Sequence, residues 1–569
     1  MKLGFLKATW YLFKGYWGSE EKWKARGLLA AVIALNLASV YLLVEINTWY
    51  NEFYNALQNY EEGLFWPLVG KFTALAFIYI FIAVYAIYLC QMLQLKWRTW
   101  MTDRYLKDWL KDNVYYRLQV LRSDTDNPDQ RISEDINQFV SLTLSLMIGF
   151  IKQLTTLAAF SVVLWNLSGI FTLPVGSYEF QIHGYMFWFS LAYSIIGTYF
   201  VHIVGRKLIA LNFDQQKYEA DFRFSMMRVR ENSESIAFYG GENSEFGIFK
   251  ERFSNVISNF WQLMKKTKLL NFYVNGYAQL AVIVPLILAS PQYFSGAMTL
   301  GGLMQTISAF GRVQDALSYF VDSYNTIAQL VAVVQRLFGF KEHITEVSDI
   351  EKNIVENENT TGNLEIVNLN VKLPNDKVLL KNCNLTLKEG QRILVIGKSG
   401  AGKSTFLRML AGIWPYGDGE IIHPASESLM FLPQKPYLPL GSLKRAICYP
   451  NVDENIPNAE ELLDMVKLSD LKNSLDKTED WSRILSLGEQ QRLAFLRALV
   501  AKPKWLFLDE ATSALDEPLE REMYELLRKE LPKTGIISVG HRSTLREVHD
   551  VELRLTGDGA YEEAEIERR

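Results

Sequence analysis

The chain has little cysteine, with three residues among 569. Cys90 falls in an apolar run, and Cys383 and Cys448 lack metal-like spacing, so neither a disulfide framework nor a thiolate metal site is expected. A reduced, cytoplasmic setting suits the second half of the chain. Charge of one sign is lacking too. A net charge of −4 without a basic stripe argues against a nucleic-acid partner. The N-terminus has no small-residue cleavage site behind a short apolar core, so it does not read as a cleaved signal peptide. No internal repeat or low-complexity tract is evident.

Long apolar runs are present, and they are confined to residues 1–340. A membrane-crossing helix needs about 20 mostly apolar residues. Six segments meet that need: 27–46, 70–93, 138–167, 184–205, 270–290 and 300–332. Ahead of them Lys2, Lys7 and Lys14 are interleaved with Trp10, Tyr11, Phe13, Tyr16 and Trp17, the pattern of a helix lying on a lipid bilayer. Lys22, Lys24 and Arg26 precede the first span, Lys96 to Arg122 follow the second, and another basic block runs from Arg206 to Lys268. Segments 169–183 and 291–299 contain no Lys or Arg, so both termini are expected in the cytoplasm. The two basic inter-span segments are too long for turns and show helical periodicity, so they are expected to carry the spans beyond the membrane. Residues 341–361, charged and Asn-rich, read as a linker, and 362–569 read as a second domain.

In that second domain an apolar strand, Arg392 to Ile396, feeds Gly397-Lys398-Ser399-Gly400-Ala401-Gly402-Lys403-Ser404-Thr405, after which a helix opens. The glycines let backbone N–H groups curl around the β- and γ-phosphates of a nucleotide, Lys403 adds charge, and the Ser404 hydroxyl is a ligand for Mg2+. A second apolar strand ends in Asp509, placed for Mg2+, and Glu510, placed for the attacking water. Gln434 follows another strand, with an amide able to reach Mg2+ or that water. Leu485-Ser486-Leu487-Gly488-Glu489 precedes a helix, where Ser486 and the backbone around Gly488 can offer donors to a phosphate. Ser513-Ala514-Leu515-Asp516 follows Glu510, and His541 closes the series after a further strand.

This ordered set resembles the nucleotide-binding domain of ABC transporters over residues 362–569. The resemblance implies that Lys403, Ser404, Gln434 and Asp509 hold Mg-ATP, that Glu510 is the general base and that His541 contacts the γ-phosphate. It also implies that Ser486 to Gly488 cap the ATP of the opposite subunit, hence a homodimer. Leu487 and Glu489 stand where the family commonly has Gly and Gln. No Tyr, Phe or Trp lies between Leu364 and Leu380 to stack on adenine, so base recognition is expected to be loose.

In the first half, Asn47-Thr48-Trp49-Tyr50-Asn51-Glu52-Phe53-Tyr54-Asn55-Ala56-Leu57, Asp126-Asn127-Pro128-Asp129-Gln130-Arg131-Ile132 and Arg230-Glu231-Asn232-Ser233-Glu234 look like the bacterial SbmA/BacA-related ABC proteins. They are similar, less closely, to the peroxisomal subfamily-D half-transporters of fatty-acyl-CoA. The first resemblance implies an all-α, exporter-like six-span domain of type IV fused to an α/β P-loop ATPase in a bacterial inner membrane. It implies import of a bulky hydrophilic solute such as an antimicrobial peptide, a bleomycin-like compound or cobalamin. The second implies an acyl-CoA or another amphipathic lipid, and an ATP-responsive membrane sensor without transport is the alternative of another class.

Along the sixth span Gln305, Ser308, Arg312, Asp315, Ser318, Asp322, Asn325 and Gln329 recur every three or four positions, on one helical face. Ionisable groups at membrane depth line water or pair with each other, and Arg312 and Asp315 have the spacing to pair. The stripe is therefore expected to face a cavity, with polar packing between helices as the plainer reading. Glu45, near the outer end of the first span, is a further cavity candidate.

Overall fold

The computed structural model describes residues 5–121, 127–175, 178–349, 354–425 and 428–566. It divides into two units, Met1–Trp109 with Thr125–His343, and Leu110–Asp124 with Ile344–Arg569.

The first unit is helical, because a segment surrounded by lipid must satisfy its backbone N–H and C=O groups internally. In chain order it contains α1 (Phe5–Trp17), α2 (Lys22–Gln58) and α3 (Glu62–Leu110), the last of which is followed in the second unit by α4 (Val114–Leu121). Next come α5 (Ile136–Leu167), α6 (Tyr185–Glu231), α7 (Ser233–Tyr239), α8 (Glu242–Phe294), α9 (Leu300–Asp322) and α10 (Tyr324–Ser348). Between α5 and α6, in the segment free of Lys and Arg, β1 (Ile170–Val175) and β2 (Tyr178–His183) form an antiparallel hairpin.

Among the described residues four helical stretches are long and apolar enough to cross a membrane: Lys22–Gln58, Glu62–Leu121, Pro128–Leu167 and Glu242–Phe294. Tyr185–Val201 and Gly205–Glu231, bent by 42°, make a fifth if counted together. The sixth expected span, 300–332, departs from a single helix: α9 ends at Asp322 and α10 begins at Tyr324. Polar residues lower the hydropathy of α9, and it packs against α2, α5, α6 and α8. Its apolar face enters a core of Phe160, Leu164, Met186, Ala289, Phe310 and Val313.

The start of α9 shows why a polar helix is tolerated there. Asn47 Nδ2 donates to the Gln305 carbonyl at 3.0 Å, Asn51 Nδ2 to Gln305 Oε1 at 2.7 Å, and Asn55 Nδ2 to Asn51 Oδ1 at 2.6 Å. Asn55 Oδ1 then accepts from the Gly301 N–H at 2.9 Å, and Gln58 Oε1 from that of Leu300 at 2.8 Å. The first N–H groups of a helix lack intrahelical partners, and here the end of α2 supplies them. Gln305, expected on a cavity face, is instead buried in this network. Periodicity fixes its azimuth on α9 but not where α2 crosses.

At the other end of the unit Asp135, 1% exposed, takes Arg131 Nη1 at 2.5 Å and Arg336 Nη2 at 2.6 Å. The two contacts tie the π-helical stretch Arg131–Asp135, which leads into α5, to α10 with the charge-assisted hydrogen bonds that a buried carboxylate requires.

The second unit holds two large sheets and a short antiparallel ribbon of Gly441–Ser442 with Thr478–Glu479. In the smaller, strands run in the order β3 (Ile354–Glu358), β7 (Gly417–His423), β4 (Leu364–Lys372) and β5 (Val378–Leu387). The stretch 341–361, expected to be a linker, is thus α10 as far as Ser348 and then an edge strand. An edge strand with one buried residue, Ile354, stays polar elsewhere, which is why its composition reads as a connector.

The larger sheet has the order β12 (Tyr561–Glu565), β11 (Val551–Leu555), β6 (Arg392–Gly397), β10 (Gly535–Val539), β9 (Trp505–Asp509) and β8 (Leu429–Leu432). From β11 to β8 the pairing is parallel. Such strands are covered on both faces and read as unbroken apolar runs. Phe431 stacks on Phe507 at 4.1 Å, and Trp505 is fully buried with its indole N–H on the Gly362 carbonyl at 2.9 Å. Val120 of α4 packs on the core that these strands share with the smaller sheet. Ligands of such sheets bind beyond the carboxyl ends of the strands. The ends of β6, β8, β9 and β10 lead to Gly397, Gln434, Glu510 and His541.

Candidate active site

The glycine loop leaves β6 at Gly397 and closes onto α11 (Lys403–Leu410). All three loop glycines are forced. A Cβ on Gly397 would lie 2.4 Å from the Leu555 carbonyl oxygen, and Gly400 and Gly402 have φ of +80° and +97°, which a side chain would strain. Ala401 is buried beneath the loop, whereas Lys398, Ser399 and Gly400 are exposed, and Ser404 and Thr405 are half-buried. Lys403 Nζ donates to the carbonyls of Gly397 at 3.0 Å and Lys398 at 3.3 Å. Burial pulls its pKa below the ordinary lysine value, against the pull of Glu510 and Asp509. An anion in the loop would relieve that burial penalty.

Ser404 Oγ donates to Asp509 Oδ1 at 2.9 Å. Burial raises the Asp509 pKa, with the Ser404 hydrogen bond opposing. The Ser404 hydroxyl, the Asp509 carboxylate and the Gln434 amide oxygen are hard oxygen donors of the kind Mg2+ takes alongside phosphate and water. No cluster of three or more His, Cys, Asp or Glu among the described residues makes a metal cage of protein ligands alone. The residues therefore fit Mg2+ held partly by nucleotide, where the ion would neutralise charge on the β- and γ-phosphate oxygens.

Glu510 sits between two partners. Gln434 Nε2 donates to its Oε2 at 3.1 Å, and His541 Nε2 lies 3.6 Å from its Oε1. Its φ of +49° is left-handed, a conformation that costs on the order of 1 kcal/mol or more outside glycine and concentrates at functional sites. The backbone is held there by the Glu510 N–H on Val539 O at 3.1 Å and the Ser513 N–H on Glu510 O at 3.0 Å. A carboxylate so fixed at a strand end can take a proton from water, while His541 and Gln434 stay within reach of the same reacting centre.

Ser486 caps α12 (Leu487–Ala501) in a reciprocal arrangement. Its N–H and hydroxyl both donate to Glu489 Oε2, at 2.8 and 2.6 Å, and the Glu489 N–H returns to Ser486 Oγ at 3.4 Å. Such a capping box stabilises a helix start by about 1 kcal/mol. The hydrogen bond from Ser486 holds the Glu489 carboxyl below its usual range. In this single chain the Ser486 hydroxyl donates to Glu489, so a phosphate would have to replace that carboxylate as its acceptor. Gly488 backs onto Ala514, and Leu485 is buried while Leu487 is exposed. Among the described residues no hydrogen bond or ion pair joins 485–489 to the glycine loop.

Two residues that the sequence reading passed over organise these loops. Gln491 Nε2 donates to Gln434 O at 2.8 Å and Ser513 Oγ at 3.1 Å, while its Oε1 accepts from the Ala514 N–H at 3.0 Å. Arg542 donates to the carbonyls of Leu515 at 2.6 Å and Ser513 at 3.2 Å. Both adjoin motif residues, but no spacing rule marks them. Asp516 caps α13 (Glu517–Glu530), accepting from the Leu519 N–H at 3.1 Å.

Of the cavity candidates in the first unit, Arg312, Asp315, Asp322 and Gln329 are exposed in the single chain, and Ser308, Ser318 and Glu45 are half-buried. The Asn325 side chain lies outside the described residues. Among the described residues no ion pair at contact distance joins Arg312 to Asp315, but the two lie within electrostatic range of each other, as do Lys152 of α5 and Arg312, and Asp315 and Asp322. Lys152 was missed, although a lone lysine inside an apolar run is itself a signal.

Residues 12–294 match the family described as ABC transporter transmembrane region 2, and residues 380–513 match the ABC transporter family. The chain is 36% identical to the inner membrane ABC transporter ATP-binding protein YddA of Escherichia coli, over 93% of this chain and 94% of that one. It is 33% identical to ABC transporter D family member 2, chloroplastic, of Arabidopsis thaliana (98% and 87% covered). Its identity to the human lysosomal cobalamin transporter ABCD4 is 28% (98% and 95% covered). In structure it superposes on a bacterial Atm1-family ABC exporter with ATP bound, with a TM-score of 0.75 at 17% identity, covering 95% of each chain.

Proposed function

The chain belongs to the ABC transporters, as a half-transporter related to subfamily D whose ATP hydrolysis is coupled to transport, and from that premise we propose that it imports a bulky hydrophilic solute in the manner of the SbmA/BacA branch. The observation that carries this reading is the group of Lys152, inside the apolar run of α5, with Arg312, Asp315 and Asp322 on α9. Two cations and two acids at that depth need water around them, and a solute with its own polar groups is what such a pathway conducts. A hydrophilic peptide or a cobalamin-like molecule meets that description, and the name of the human relative supports the latter.

The working unit is a homodimer in a bacterial inner membrane, with both termini and the ATPase unit in the cytoplasm. Glu510 acts as general base, His541 and Gln434 attend the γ-phosphate, and Ser404, Gln434 and Asp509 hold Mg2+. The 485–489 segment caps the ATP of the opposite subunit, so Ser486 must exchange Glu489 for phosphate as the dimer closes. The test is ATP-dependent accumulation of labelled cobalamin, a hydrophilic peptide and an acyl-CoA in oriented sealed vesicles. Uptake of either of the first two, lowered at least about tenfold by Arg312→Leu with basal ATPase retained, is expected. Movement of acyl-CoA alone would replace this reading with lipid transport, and ATPase activity with no flux of any kind would make the protein a sensor.

A further inference from the structure

Beside the first span lies a cavity that the transport pathway does not use. An aromatic interlock holds α1 on α3: Tyr16, fully buried, stacks on Trp97 at 5.7 Å and 8°, and Trp17 meets the same ring edge-on at 5.6 Å. Gly15 permits the approach, since a Cβ there would lie 3.1 Å from the Trp100 ring. Arg26 Nη2 donates to the Trp17 carbonyl at 3.0 Å, fixing the bend between α1 and α2.

Between α1 and the end of α3 is a cavity of about 740 Å³. Its walls include Trp10, Tyr11 and Trp100, and its charged members include Lys7, Lys14 and Arg104. The acid of the lining, Asp108, is taken by Lys341 at 2.6 Å. Among the described residues Lys7, Lys14 and Arg104 have no carboxylate partner, and the Arg104 guanidinium lies 5.4 Å from the centre of the Trp100 ring. Three uncompensated cations thus meet aromatic walls. Leu6 is 79% exposed, Trp10 62% and Trp23 74%, on the side of the chain where α2 enters its apolar run. Aromatic rings with basic neighbours at the start of a span sit at headgroup depth in a bilayer.

We propose that this cavity binds the headgroup of an anionic phospholipid, its phosphate on Lys7, Lys14 and Arg104, its glycerol and first acyl carbons against Trp10, Tyr11 and Trp100. A soluble phosphate would satisfy the cations but leave the aromatic walls wet, and a zwitterionic lipid would leave the charge uncompensated. The site is independent of which solute the pathway carries.

The test uses the full chain in neutral detergent, delipidated and titrated with phosphatidylglycerol or phosphatidylcholine of the same acyl chains, with bound lipid counted by native mass spectrometry. Phosphatidylglycerol is expected to be retained at least about tenfold better. Lys7→Gln, Lys14→Gln and Arg104→Gln together should weaken it by roughly a hundredfold, at about fivefold per charge, with basal ATPase unchanged. Equal retention of the two lipids, or an undiminished preference in the triple variant, would overturn the proposal. So would displacement of the lipid by equimolar glycerol 3-phosphate, which would assign the site to a free phosphoryl anion.

Because the triple variant removes charge from α1 and from α3, on which it docks, a second measurement avoids it. A benzophenone side chain at Trp10, in nanodiscs of mixed phosphatidylglycerol and phosphatidylcholine, should form adducts enriched in phosphatidylglycerol. Adducts that merely follow the bulk composition would sink the idea.

Discussion

The nucleotide unit gathers its reactive groups at the ends of parallel strands, whereas the membrane unit distributes its polar groups along helices. At a strand end the backbone fixes position. Asp509 and Glu510 leave β9 beside the glycine loop because the parallel register permits little else, and Gln434 and His541 arrive from the ends of β8 and β10. Along a helix, periodicity fixes an azimuth, and what faces that azimuth depends on the neighbouring helices. Gln305 and Arg312 lie on one periodic stripe, yet the first is buried against α2 and the second is exposed. Short-range order therefore specifies chemistry in one unit, and long-range packing decides it in the other.

Three experiments can break or sharpen that contrast. The largest effect is expected in the nucleotide unit: Glu510→Gln should retain ATP binding and lower hydrolysis by about 10²–10⁴, the usual contribution of a positioned general base. Single-turnover hydrolysis within a few-fold of the parent would show that strand-end placement had not identified the base. In the membrane unit, Gln305→Leu should cost roughly 1–3 kcal/mol of stability, because it removes from the buried Gln305 position the acceptor for the half-buried Asn51 amide. If thermal unfolding in detergent shows a loss under about 0.5 kcal/mol, the residue behaves as a solvated surface group and its burial has no energetic weight.

The smallest effect concerns the base of the nucleotide, where the nucleotide unit is as uninformative as the helices. Leu373, at the turn after β4, packs on the core, and no aromatic ring comes from that stretch. GTP should be hydrolysed within about tenfold of ATP, a difference of at most about 1.4 kcal/mol. A thousandfold preference for ATP, measured as kcat/KM, would mean that a residue elsewhere reads the adenine.

Legibility followed the same division. The strand, loop and helix around Lys403 are readable because a glycine loop between an apolar strand and a helix has few other uses. The order of Gln434, Ser486, Asp509 and His541 adds constraint that no single motif has. Gln491 and Arg542 were not readable as organisers, because their partners are backbone carbonyls and N–H groups that leave no mark on composition. The same holds for the Asn47, Asn51 and Asn55 ladder: its spacing of four is visible, but its partner lies about 250 residues away at the start of α9. The edge strand Ile354–Glu358 reads as a connector because its pairing with β7 is made by backbone and by the polar side chains Asn357 and Glu420, with Ile354 its one buried residue.

Gln491 has one more implication. Through a single side-chain amide it joins the loop that carries Gln434, proposed above to attend the chain's own nucleotide, to Ser513 and Ala514, which lie against the Gly488 turn. In a dimer whose capping segments cross over, that amide places one subunit's occupancy and the other subunit's capping surface on a common lever. Thermodynamic linkage then requires reciprocity: whatever factor the first nucleotide applies to the affinity for the second, the second returns to the first. A half-transporter built this way would count its nucleotides in pairs.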